Sequence, residues 1–285
     1  MSRIAHVSFS TKRRVVKPIQ PAPNKPKDRR YALLVGINYK GTDYELQGCV
    51  NDVNDVRDML INKFGYPDEN ITLLTDETSI KPTYSHIIMN LQELVNKARK
   101  NQCTEFWFHY SGHGTSIKDV NGDELDGYDE VIVPIDYKSR GVISDDMIQL
   151  ELSRLPNGFH GLLIFDSCNS GTMADLPYTY DGDNLIIGKT VHKLNANLMS
   201  ISGCRDNELS MDTVIDGKWG GAMTQHLLQI IRDHDYTIGC FKLIRDLRKI
   251  LAENGYSQYP ILSSSKMLSP AHTFCVETMK PFVHF

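Results

Sequence analysis

The sequence predicts an α/β domain: a mostly parallel central sheet with helices on both faces. Three observations predict it. Short apolar runs of strand type recur along the chain, at Tyr31–Asn38, Ile71–Thr75, from Phe106, from Leu162 and at Asn197–Ser202. Between them lie segments whose apolar residues recur at helical spacing. Gly and Ser close the runs at Phe106 and Leu162, as turn chemistry requires. Strands that alternate with helices imply parallel strands joined by crossovers that cover both faces.

Residues 1–30 stand outside that pattern. They hold nine Lys and Arg against one Asp, a net of +8, and include Pro18, Pro21, Pro23 and Pro26. A basic, Pro-rich segment buries too little apolar surface to fold alone. Residues 1–30 are therefore expected to be a disordered leader before a folded body at 31–285. That body carries 22 basic and 34 acidic residues, a net of −12, so a leader docked on it is the alternative. Lys12, Arg13 and Arg14 also invite an anionic partner, but the reading adopted has no nucleic acid and no membrane.

Tyr31–Asn38 reads as the first strand. Asn51–Phe64 carries Val53, Val56, Met59, Leu60 and Phe64 along one helical stripe. Ile71–Thr75 is the second strand. Tyr84–Lys100 is a helix with Ile87, Ile88, Leu91, Leu94, Val95 and Ala98 on one face. The run from Phe106 stops at Ser111 and Gly112. Ile117–Ile135 reads as a hairpin and Asp145–Leu155 as a short helix. The run from Leu162 ends at Asp166, Ser167 and Cys168. Residues 176–195 are polar and read as a loop, Asn197–Ser202 as a strand, and Gly220–Asp233 and Cys240–Asn254 as two helices. No internal repeat and no linker follows Tyr31.

A content of 41% hydrophobic and 23% charged residues is that of a globular domain and excludes a fibrous or strongly disordered body. No apolar stretch approaches the ~18 residues of a membrane span, and the amino terminus shows no apolar signal segment. Six cysteines, at 49, 103, 168, 204, 240 and 275, form no CxxC pair. That argues against a zinc site or disulfide framework and for a reducing compartment. The expected location is cytoplasmic.

Chemistry concentrates at His113 and Cys168, each just past a buried run and roughly fifty residues apart. In a parallel sheet such strand ends converge on one edge, where ligands bind. A thiol and an imidazole brought together there form a nucleophile with its own general base. Taken alone, each residue is more often structural. Gly112 and Gly114 around His113, however, let backbone approach a ligand, and Asp166, Ser167, Ser170 and Gly171 surround Cys168 with polar atoms. A helix starting at Asn169 would favour the thiolate. Backbone N–H groups near Gly114 and Cys168 are the candidate oxyanion hole.

The segments GINY (36–39), GC-x-ND (48–52), HYSGHG (109–114), DSC-x-SG (166–171) and GAMT (221–224) together resemble a type I metacaspase, in the caspase-like clan of cysteine peptidases. The motif DLPY at 175–178 narrows the resemblance to that type. It covers Tyr31 to Ser265 in order. It implies a caspase-like three-layer sandwich, with a large-subunit-like part at 31–175, a joining loop at 176–195 and a small-subunit-like part at 196–285. It further implies a monomeric cysteine endopeptidase that cuts protein or peptide substrates after Arg or Lys. The alternative is a weak or inactive caspase-like scaffold that acts by binding proteins. One position departs from the family pattern: Asn169 stands where a second His is common.

The resemblance places Cys49, Asp52, Ser111 and Asp166 in the substrate pocket. Two carboxylates without an Arg suit a basic side chain. On its own, Asp52 also reads as an acidic residue favoured at a helix start. The resemblance implies a calcium site at Asp129, Asp145, Asp146 and Asp175, with Asp126 an alternative to Asp129. These are hard oxygen ligands of the kind calcium requires; Asp145 and Asp146 could equally cap the helix that follows. The segment Asp119–Glu130 partly matches an EF-hand loop but carries Glu124 where Gly is needed; a solvated acidic hairpin is the plainer reading. Self-cleavage is expected at Lys189 or Lys193, with Arg205 another candidate, or else 176–195 is a plain surface loop.

Overall fold

In the computed structural model the described residues are 29–119, 127–168, 173–181, 184–187, 194–203, 212–215 and 217–274. The order begins with β1 (Arg30–Gly36), α1 (Cys49–Asn62), β2 (Ile71–Thr75), α2 (Tyr84–Arg99) and β3 (Glu105–Ser111). A small antiparallel sheet follows, of β4 (Gly114–Lys118), β5 (Tyr128–Ile132) and β6 (Ile143–Ser144), with the one-turn helix α3 (Tyr137–Arg140) before β6. Next come α4 (Asp145–Leu152), β7 (His160–Asp166), the hairpin β8 (Tyr178–Asp181) and β9 (Asn184–Ile187), and β10 (Asn197–Ser202). A second hairpin, β11 (Asp212–Ile215) and β12 (Lys218–Gly221), runs into α5 (Ala222–Asp233). The described residues end with β13 (Ile238–Gly239), α6 (Cys240–Glu253), β14 (Ile261–Ser264) and β15 (Thr273–Phe274).

Among the described residues the main sheet has eight strands, in the order β2-β1-β3-β7-β10-β14-β8-β9. Its first five strands are parallel, and β14, β8 and β9 add antiparallel pairs. Side chains alternate between two cores, as a strand buried on both faces requires. Leu34, Trp107, Ile164 and Ile201 pack with α1, α5 and α6 on one face. Leu33, Val35, Phe106, Phe108, Leu163 and Phe165 pack with α2 and α4 on the other. The expected α/β sandwich is therefore the observed one.

Local chemistry sets the helix limits. The Thr83 side chain accepts from the His86 amide at the start of α2, satisfying one of the free amides there. Ser144 does the same for α4, accepting from Met147. Asp145 and Asp146 are thus first-turn residues rather than the cap. The helix expected from Gly220 begins at Ala222, because Lys218–Gly221 pairs with β11. The one expected at 145–155 ends at Leu152.

Residues 176–195, read as a loop, contain strands β8 and β9. Tyr180 explains the difference: its ring is buried, and its hydroxyl accepts from Leu268 N at 2.7 Å. Arg248 donates to Asp181 Oδ1 at 3.0 Å and lies 4.0 Å over the Tyr259 ring. Pairing with β14, itself unanticipated, decides the conformation of this segment. Among the described residues no helix is long and apolar enough to cross a membrane.

Candidate active site

Strands β3 and β7 end side by side, with Ser111 in register with Asp166. Both side chains follow Trp107 and Ile164 onto the α1 and α5 face. Asp52, in the first turn of α1, reaches them: Ser111 Oγ donates to Asp52 Oδ2 at 2.6 Å. Gly221 N donates to both Asp52 oxygens at 3.0 Å, and Gln225 Nε2 to Oδ1 at 2.9 Å. Asp166 accepts from Thr224 N at 2.9 Å and from Gln258 Nε2 at 3.2 Å. Both carboxyls are buried. They sit at the amino terminus of α5, where free N–H groups and the helix dipole favour negative charge. Gly221 is required by this convergence. A Cβ there would lie 2.3 Å from Asp166 Oδ2 and 2.8 Å from Asp52 Oδ2.

Burial is the main cause that raises the Asp52 carboxyl well above its ordinary range, and Asp166 adds to it; Ser111, Gln225 and Gly221 oppose the shift. Beneath the pair, His109 Nε2 lies 3.3 Å from Thr224 Oγ1. Burial pushes His109 down to about 3, so its buried ring is neutral. Cys49 opens α1 and is buried.

His113 follows β3. Its Nε2 lies 2.7 Å from the Tyr44 carbonyl. A carbonyl only accepts, so Nε2 carries the proton and Nδ1 is the nitrogen left for proton exchange. The Tyr39 ring packs against the imidazole at 4.7 Å between centroids, and Tyr44 meets it edge-on at 6.4 Å. Cys168 is half-buried just past β7. A Cβ at Gly114 would lie 2.3 Å from the Cys168 carbonyl oxygen. The backbone after His113 and the backbone at Cys168 are therefore in contact, and glycine makes that approach possible. Asn169 lies outside the described residues.

The acidic set implied for calcium lies on the other face. Asp129 is on β5, and Asp145 and Asp146 open α4. Asp145 Oδ2 accepts from Glu130 N at 2.9 Å and Oδ1 from Asp146 N at 2.7 Å. Its carboxyl is pushed up to about 6, first by burial and further by Asp129, while its hydrogen bonds to Glu130 and Asp146 oppose the shift. Asp175 has a left-handed backbone (φ 44°), and its carbonyl accepts from Gln149 Nε2 of α4 at 3.0 Å. That bond ties the segment after Cys168 to α4. Among the described residues no three His, Cys, Asp or Glu side chains are grouped to hold one metal ion. Oxygen donors are the type calcium takes, but these side chains are not grouped to hold it. Asp126, Lys189, Lys193, Cys204 and Arg205 lie outside the described residues.

Several residues around these sites escape sequence reasoning. Gly221 and Thr224 belong to the GAMT segment, but their work as amide donors appears only once α5 is placed. Gln225 and Gln258 carry no sequence signal. Tyr39 belongs to the GINY segment, but its contacts with His113 appear only in the fold; Tyr44 carries no sequence signal.

Residues 30–177 match the family model described as "Metacaspase, peptidase C14 domain". The chain is similar to Metacaspase-1 of Schizosaccharomyces pombe, at 33% identity over 84% of this chain and 68% of that protein. Metacaspase-1 of Meyerozyma guilliermondii is 35% identical over 83% of this chain and 70% of its own length. Among solved structures, a protein from Geobacter sulfurreducens matches with a TM-score of 0.61 at 24% identity, covering 86% of this chain and 96% of that one. Caspase-1 from Spodoptera frugiperda matches with a TM-score of 0.53 at 12% identity, covering 85% and 88%. The fold is caspase-like.

Proposed function

Because this chain belongs to the metacaspases, a family of cysteine peptidases, we propose that it is a calcium-activated endopeptidase that cuts proteins after Arg or Lys, with Cys168 as nucleophile and His113 as its base. The observation that carries the specificity is the convergence of Asp52 and Asp166 on Gly221. A guanidinium or ammonium entering there offsets the burial cost borne by the pair and gains charge-assisted hydrogen bonds. Cys49 and Ser111 complete the proposed pocket, Ser111 by holding Asp52.

In the proposed mechanism His113 Nδ1 takes the thiol proton and Cys168 Sγ attacks the scissile carbonyl carbon. The C–N bond breaks as the imidazolium passes its proton to the leaving amine. Water, deprotonated by His113, then breaks the S–C bond and releases the new carboxylate. Backbone N–H groups at Gly114 and Cys168 are the proposed oxyanion donors. No third side chain is needed, since the Tyr44 carbonyl holds the imidazole.

Asp129, Asp145, Asp146 and Asp175 would hold calcium, which would supply positive charge to this acidic set. Lys189 and Lys193 are the proposed self-cleavage positions. A monomeric state and a cytoplasmic location belong to the same proposal. The test is turnover of a fluorogenic peptide ending in Arg, with and without millimolar calcium, beside one ending in Asp. Arg cleavage that needs both calcium and Cys168 is expected. A wild-type protein inert with calcium, or Cys168→Ala with full activity, overturns the reading.

A further inference from the structure

We propose that Tyr39, together with Tyr110, is a positioning residue for His113: the two phenol hydroxyls hold the histidine main chain from both sides. The proposal rests on the Cys168–His113 reading above. In the small sheet Gly114 is paired with Ile132, so His113 and Val133 occupy the next rung. There side chains supplement the ladder. His113 N donates to Tyr39 Oη at 3.0 Å, and Tyr39 Oη donates to Val133 O at 2.6 Å. In the other direction Val133 N donates to Tyr110 Oη at 3.2 Å, and Tyr110 Oη donates to His113 O at 2.6 Å. Val133 N also reaches His113 O at 3.2 Å. Both amide groups of the histidine therefore end on a tyrosine hydroxyl, and the two hydroxyls lie 3.0 Å apart.

Three further features mark a device rather than ordinary packing. Tyr39 adopts a left-handed backbone, φ 52°, a conformation a bulky residue holds only when its surroundings enforce it. A Cβ at Gly112 would lie 2.7 Å from Tyr110 Oη and 3.1 Å from Tyr39 Oη, so the glycine before His113 leaves room for this pair. On the same sheet face Phe108 and Phe165 pack at 5.5 Å without hydroxyls, so burial alone does not call for them. With the Tyr39 ring against the imidazole and the Tyr44 carbonyl on Nε2, both main chain and ring are held. Nδ1 then has one orientation.

The test uses the full chain with Tyr39→Phe, Tyr110→Phe and a control, Tyr66→Phe. The Tyr66 hydroxyl is also buried, but it donates to Glu105 at 2.8 Å at the far end of β3. Three quantities are measured: kcat and KM on an Arg peptide, melting temperature, and the pH profile of Cys168 alkylation by iodoacetamide, read by peptide mapping. Tyr39→Phe keeps the ring and is expected to lower kcat roughly 10- to 100-fold at unchanged KM, as a misplaced catalytic group does. It also removes the low-pH limb of alkylation that a thiolate–imidazolium pair produces. Tyr66→Phe lowers the melting temperature and leaves kcat alone. Wild-type kcat and alkylation in Tyr39→Phe overturn the proposal, as does loss of kcat in step with melting temperature across all three variants. Wild-type Cys168 that alkylates like an unassisted thiol overturns the dyad and the clamp with it. Fast wild-type alkylation without Arg cleavage overturns the specificity alone, and the alkylation profile then decides the clamp.

Discussion

Two sets of carboxylates lie on opposite faces of the same sheet, and they are built differently. Asp52 and Asp166 converge on Gly221, with neutral donors from Ser111, Gln225, Gln258 and the first amides of α5 on their oxygens. Asp129, Asp145, Asp146 and Asp175 are spread over β5, α4 and the segment after Cys168. There Asp145 spends both oxygens on local amides, and Asp175 is held through its carbonyl. The first set is assembled before any ligand arrives, which suits recognition, since ordering has no further cost at binding. The second is ungrouped, which suits regulation: a cation that gathers it changes the protein as it binds.

The largest effect expected from this contrast is in the assembled set. Asp166→Asn removes one carboxylate from the buried site proposed to take a cation. Leaving a buried charge uncompensated costs about 3–5 kcal/mol, so kcat/KM for an Arg peptide is expected to fall by roughly two to three orders of magnitude. Hydrolysis of Arg and Gln peptides by the variant and wild type measures it. Retained Arg preference would put the recognition charge elsewhere.

Gly221→Ala probes the same set without touching charge. Its Cβ would meet both carboxylates within 3.0 Å, and overpacking of this kind costs about 1–3 kcal/mol. A loss of roughly 10- to 100-fold in kcat/KM is expected from that strain. Carboxylates this closely set have no flexible end to yield, so a tolerated alanine would show that the pair is looser than its geometry.

In the dispersed set, Asp145→Asn is expected to weaken calcium affinity by at least about tenfold, read by isothermal titration on the inactive Cys168→Ala background. Unchanged affinity would remove Asp145 from the ligand set and leave the contrast as one between a pocket and a structural acidic cluster.

The same contrast marks what the sequence makes legible. The strands ending at Ser111 and Asp166 are buried on both faces, so their apolar runs stand out, as do the one-sided stripes of α1 and α2. Strands β8, β9 and β14 owe their conformation to distant partners, such as Tyr180 with Leu268 and Asp181 with Arg248, which no local pattern records. His113 and Cys168 are visible because Gly and polar residues interrupt apolar runs beside them. The Tyr39–Tyr110 pair is not, since buried aromatics read as core until their hydroxyls are placed. His109 likewise sits inside an apolar run and looks like one more strand residue.

The smallest effect distinguishes the sets by pH in calcium-free protein. Asp145 is pushed up to about 6 from the 3.8 usual for an aspartate. A carboxyl whose folded pKa is raised binds more protons in the native state, so stability falls as pH rises. Its contribution is fully present below about 3.8 and is lost as pH climbs through about 6. Asp145→Asn should therefore flatten the rise in stability between pH 6 and pH 4, measured by urea unfolding without calcium. On the proposed calcium role the added ion should reverse the slope, because it would bind the deprotonated carboxyl in competition with the proton. A wild-type slope that Asp145→Asn leaves unaltered would show that the crowding at the α4 start is relieved by neighbours, and that calcium has no stored repulsion there to release.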